Sequence, residues 1–244
     1  MSKTVSRVAI GAGVFVVLVA IVAVVVLGQL GRLIERGVET AGPRITGTEV
    51  SLGSARVSIF DGNGALKRLR IGNPDGFSSD EAFDLGEIAL AIDTRSLAGD
   101  VVHIRSVVID NPRLVAEFDA AGRSNLDTIM GHVRAVSRGG SKGKAAEESG
   151  AGTKMIIDEF RFENAEVQAL APAFGVNKAL KLPPVVLRNL GAKQGGAAAS
   201  DIANQVMRPI VEVAVEAAMR ETVAAQRGKL EDKAKEQLLD KVFK

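Results

Sequence analysis

The chain has no cysteine, no tryptophan and no tyrosine, and its nine phenylalanines are its only aromatics. Without cysteine there is no disulfide, no thiolate metal ligand and no thiol nucleophile. Without Trp or Tyr, a base-stacking or sugar-binding platform is not expected. Charge of one sign is also missing: 31 Lys and Arg against 29 Asp and Glu leave a net +2. A nucleic-acid partner, which needs a concentrated basic face, is therefore not expected. The two histidines, His103 and His132, have no carboxylate or second His at ligand spacing. No nucleophile elbow, P-loop, zinc-hydrolase or dinucleotide fingerprint occurs. No catalytic, cofactor-binding or metal residue is predicted, and the chain is not expected to be an enzyme.

What is present starts with a run free of charge, Val8 to Gly31, rich in Val, Ala, Leu and Ile. About 20 apolar residues in a helix span a hydrocarbon core of roughly 30 Å. The run is longer than a signal-peptide core and no lipid-accepting Cys follows, so it reads as an uncleaved single-pass anchor, 8–31, after a short tail, 1–7. Lys3 and Arg7 favour that tail in the cytoplasm and everything from Arg32 onward on the other side.

Helical spacing of Leu33, Ile34 and Val38 continues as a stalk, 32–41, which Gly42-Pro43 is expected to end. Period-two alternation then predicts a β-rich first part over 44–137. It includes a hairpin turning at Asp61-Gly62-Asn63-Gly64 and a strand with Ile88, Leu90 and Ile92 on one face. Val102, Ile104 and Val108 line the next strand's face. Ser124-Asn125 caps a short amphipathic helix. Residues 138–153 are polar and Gly-rich, a flexible linker by composition. Strands resume over 154–190, with Phe160 and Phe162 on one face and an edge strand interrupted by Pro183-Pro184. A long helix fills 200–244, charged and sparsely apolar after Gly228.

An apolar residue, a spacer and Asn close a strand at Ile71-Gly72-Asn73, Ile109-Asp110-Asn111 and Phe162-Glu163-Asn164, with a weaker copy at Leu187-Arg188-Asn189. Together with V-E-T-A-G-P-R-I-T-G-T-E-V from Val38, L-R-I-G-N-P-D-G-F from Leu69, and the run from Ile109 through Glu117 to Ser124-Asn125-Leu126, these turns resemble the AsmA-like family of bacterial envelope proteins. The resemblance covers roughly residues 1–135. It implies an inner-membrane anchor with a periplasmic body, and a role in lipid handling or envelope maintenance. The expected fold is α+β. An N-terminal transmembrane helix precedes an antiparallel, twisted β-rich domain able to curl into a groove, with a short amphipathic helix and a long C-terminal helix. Lipid would meet Ile88, Leu90, Ile92, Val102, Ile104, Val108, Phe160 and Phe162. The alternative is a non-enzymatic structural or adaptor subunit of a larger membrane complex, docking a membrane-protein partner through the span or the C-terminal helix. A groove filled by helices would favour that second reading.

Overall fold

The computed structural model describes residues 31–58, 60–139 and 154–242. The expected tail, the span up to residue 30 and most of the linker lie outside these residues. The first described helix, α1, occupies 31–46 and does not stop at Gly42-Pro43. Proline removes only its own N–H, so one helical bond is lost while the helix runs on. The stop is Gly47, whose φ of 75° suits a left-handed cap and whose N–H donates to Pro43 O at 2.9 Å.

The strands are β1 (Val50–Val57), β2 (Asn63–Gly72), β3 (Glu81–Asp84), β4 (Glu87–Ile92), β5 (Val101–Asp110), β6 (Arg113–Glu117), β7 (Lys154–Glu163), β8 (Glu166–Ala171), β9 (Val176–Lys181) and β10 (Val185–Leu190). Helices α2 (Asn125–Gly139) and α3 (Ala199–Val242) complete the fold. All ten strands form one sheet, in the order β10-β7-β5-β4-β2-β3-β6-β8-β9, with β1 on the other side of β2. Residues 154–190 thus extend the first sheet.

The sheet is mixed, which corrects the antiparallel expectation: β5 pairs β7, and β6 pairs β8, in parallel. The cause is α2. It leaves the end of β6 and the chain re-enters the sheet at the end where β5 begins, as parallel crossovers require.

The register shows that β3 with β4, β5 with β6, β7 with β8, and β9 with β10 are long strands broken at one common row. Flanking pairs keep the same offset on both sides of each break, as with Glu87↔Asp110 and Asp84↔Arg113, or Asp110↔Glu163 and Arg113↔Glu166. The row reads Gly53, Arg68, Gly86, Asn111, Asn164, Pro183. Arg68, Gly86, Asn111 and Asn164 all have φ between 52° and 56°. One left-handed residue per strand shifts the in–out alternation by one. Buried residues therefore lie three apart across the row at Leu85 and Ile88 and at Phe162 and Ala165, and Leu52 and Ala55 keep the same spacing around Gly53 without a left-handed residue between them. Because neighbouring strands share the insertion, the ladder stays in register and the sheet is creased rather than broken. Asn suits the left-handed region, and here it also bonds. Asn111 Nδ2 and Asn164 Nδ2 donate to the two Asp110 carboxylate oxygens at 2.8 and 2.7 Å.

Arg68 is the residue least suited to this backbone. Arg68→Gly is expected to exceed Arg68→Val in unfolding free energy by about 1–2 kcal/mol, the usual cost of a side chain in the left-handed region, with a β-branched one at the high end. Urea unfolding midpoints of the two variants measure the difference.

The edge at β1 is covered by α1. Glu35 Oε1 accepts the Ala55 N–H at 2.9 Å and Glu39 Oε1 the Leu52 N–H at 3.5 Å. Carboxylates one helical turn apart thus occupy donors that an exposed edge strand would offer to another chain. The opposite edge carries β9 and β10 on either side of Pro183-Pro184.

A single apolar core joins the sheet to α2 and α3. Leu126, Ile129, Met130 and Val133 of α2, and Ile202, Ile210, Val211, Ala214 and Ala218 of α3, are buried with Phe83, Leu114, Phe160, Phe162 and Val167. Their spacing on each helix gives one apolar face toward the sheet. α3 crosses β6 through β10, continuous through Pro209.

No helix among the described residues is long and apolar enough to cross a membrane. The single-pass, inner-membrane placement with a periplasmic body finds no spanning helix in this structure and is corrected accordingly.

Candidate functional site

The eight residues expected to face lipid divide into three groups. Ile88, Phe160 and Phe162 are buried, Phe162 to 1% exposure, in the core shared with the helices, and Ile92 is buried outside that cluster. Leu90 and Ile104 are half-buried and pack against that core, and Val102 is also half-buried. Val108 stands apart. Arg105 is an extra residue on β5, because Ala91 pairs Ser106 while Ile92 pairs Ile104. This bulge resets the alternation, so that Val107 and Ile109 are buried and Val108 turns to the other face. The strand's alternation shows no such break, so the sequence grouped Val108 with Ile104. Over β6 through β10 the inner face is thus filled by α2 and α3.

A polar clasp sits at the start of α2. Glu117 is 4% exposed and Asn125 is fully buried. The Glu117 carboxylate accepts from Ser78 N at 2.6 Å, Ser79 N at 3.1 Å, Ser79 Oγ at 2.8 Å and Asn73 Nδ2 at 3.2 Å. Asn125 Oδ1 accepts from the N–H groups of Glu117 and Leu126, while its Nδ2 donates to Asn73 Oδ1 and Val115 O. Burial pushes the Glu117 carboxyl up, but the backbone and hydroxyl donors of Ser78 and Ser79 outweigh it and hold the group below its ordinary value. Every partner is satisfied, so the clasp fastens the 73–80 loop to β6 and α2. Asn73, Glu117 and Asn125 belong to the very motifs that carry the family resemblance, which gives those motifs a structural reason.

No family model matches the chain, and no curated protein matches it.

Among the described residues no group of three or more His, Asp or Glu is placed to hold a metal. His103 is exposed, its N–H donating to Ser96 Oγ, and His132 Nδ1 lies 3.2 Å from Thr46 O against Gly47.

Among the described residues, the distal half of α3 carries Met219, Val223, Leu230, Leu238 and Leu239 as exposed apolar side chains. Lys178 Nζ bonds Glu221 Oε2 at 2.9 Å and ties the helix to β9, and Thr222, at 8% exposure, is the last buried residue. Beyond it, residues 227–239 are all exposed. Met219, Val223, Leu230 and Leu238 are 47%, 41%, 67% and 63% exposed. Successive spacings of four, seven and eight put them on one face at 100° per residue. A shallow hollow of about 670 Å³ runs beside this stripe, bounded by Glu216, Arg220, Arg227 and Glu231. An apolar stripe of this length is a candidate contact surface. Sequence reasoning identified the helix and its thin apolar side, and missed that packing against the body ends at Ala225.

Proposed function

We propose that the protein is a non-enzymatic adaptor whose creased β body serves as a rigid platform and whose distal α3 docks a helix of a partner protein. The observation that carries this is the free stripe Met219–Val223–Leu230–Leu238 on a helix whose last core contact is Ala225 and whose described residues are all exposed over 227–239. Over 227–239, Arg227, Lys229, Lys233 and Lys235 stand against Glu231, Asp232 and Glu236. A helix adapted to an anionic lipid surface is strongly basic on its polar face. Mixed charge instead suits the flanks of a helix–helix seam, where opposite signs set partner and orientation. The packed inner face supports the adaptor over a lipid groove. The AsmA-like resemblance enters only as a proposal for the β body.

The test is face-specific photo-crosslinking in cells of the source organism. A crosslinker at Leu230 or Leu238 is expected to trap one discrete protein, while one at Asp232 or Glu236, on the opposite side of the helix, does not. Equal trapping from both faces, or lipid adducts from Ile88 or Phe160 in place of a protein, would overturn the proposal.

A further inference from the structure

The hollow between the C-terminal half of α2 and the N-terminal half of α3 is lined by Arg134, Arg138, Arg208 and Asn204, and holds about 310 Å³. Arg134 and Arg138 are four apart on α2, and Asn204 and Arg208 four apart on α3, so each helix presents two of the four across the groove. The two helices are pinned there by Ser137 Oγ donating to Ser200 O at 2.9 Å. Three guanidiniums thus share one concavity whose lining contains no carboxylate.

Their neutralisation is incomplete. Arg208 Nε donates to Glu212 Oε1 at 2.9 Å on its outer side. Arg134 feels the charge of Asp127. Arg138 has no ion pair among the described residues. Like charges gathered in one hollow repel, and an anion between them reverses the sign of every such term. A second observation stands beside the charges. Asn204 Oδ1 is buried without a hydrogen-bond partner, alone among the described side chains. The Asn204 side chain makes no hydrogen bond among the described residues, so its amide N–H groups are donors that the protein itself does not consume. Asp201 lines the neighbouring hollow with Asn204, not this one.

We propose that this interhelical hollow is a binding site for a phosphate group, carried by a soluble phosphomonoester or by a lipid headgroup. Guanidinium forks match phosphate oxygens two at a time, which lysine does not do. The volume lies at the lower end of small-ligand sites, enough for a phosphate and a short substituent. The site is far from the distal stripe of α3, and its occupancy is independent of docking there.

The experiment is calorimetric titration of the full chain with inorganic phosphate and with glycerol 3-phosphate, at constant ionic strength with chloride as the balancing anion. Flotation with vesicles of phosphatidylcholine alone, or with added phosphatidic acid, forms the lipid arm. Saturable phosphate binding is expected, weakened about tenfold by Arg138→Gln and similarly by Arg134→Gln, a charge-assisted bond's worth each. Arg138→Lys is expected to bind more weakly than the parent, because it keeps the charge and loses the fork. Glycerol 3-phosphate binding without vesicle flotation assigns a soluble ligand, and Arg138-dependent flotation with phosphatidic acid assigns a headgroup. Heat that chloride reproduces, or binding unchanged in Arg134→Gln and Arg138→Gln chains with the parent's melting temperature, would overturn the proposal.

Discussion

Phe162→Ala is expected to lower the unfolding free energy by about 4 kcal/mol, whereas Val108→Ala costs about 1 kcal/mol or less. Phe162 is 1% exposed and packs in the core that joins β5, β7 and β10 to the helices. Removing its ring leaves a cavity that rigid neighbours on both sides cannot close, so the lost transfer energy and the cavity term add. Val108 stands on the opposite face of β5 after the Arg105 bulge and is half-buried. Denaturant unfolding of both variants measures the contrast. If the inner face were an open lipid groove, both substitutions would change stability little and the first would weaken lipid binding.

Glu117→Ala is expected to cost about 3 kcal/mol at neutral pH. It leaves the Ser78 and Ser79 N–H groups and the Asn73 amide without their acceptor, and stranded buried donors are costly. The pH dependence follows from the lowered carboxyl. A carboxyl whose folded value lies below its unfolded value contributes stability that is complete above the unfolded value. That contribution is lost as pH falls through the folded value. The parent protein is therefore expected to lose stability below about pH 4.5. The gap between parent and Glu117→Ala should narrow over the same window, measured by urea unfolding at successive pH values. A gap that stays constant with pH would mean the carboxylate's charge is not what the clasp uses.

How far the fold was legible depended on whether each signal was local. The Asp61–Gly64 hairpin, the Ser124-Asn125 cap and the two helices carry their signals in adjacent residues. The parallel pairing of β5 with β7 does not, because nothing in either strand's alternation says which way α2 will return the chain. The crease was half visible. Asn111 and Asn164 stood out as a repeated strand ending, but Arg68 and the glycines Gly53 and Gly86 hold the same row outside the Asn pattern, and Asn73 proved to be a clasp donor instead. Asn189 is left-handed too, at φ 56°, but it sits off the crease, level with the Arg105 bulge. The lipid-facing set had the right faces on β4 and β7 as faces of a strand. Whether a strand's apolar face meets lipid or a helix is a property of the partner, which periodicity does not contain. The free stripe on α3 was readable as a thin apolar side, and the position where burial ends was not.

The division of α3 into a buried and a docking half is tested most directly by deleting residues 228–244 and measuring both stability and partner trapping. With the last core contact at Ala225, the unfolding free energy should change by no more than about 0.5 kcal/mol. A crosslinker at Met219 or Val223 should then lose its protein adduct. A shortened chain that unfolds more easily by about 2 kcal/mol or more, or that keeps the adduct in full, would contradict the assignment of this half-helix as the docking element.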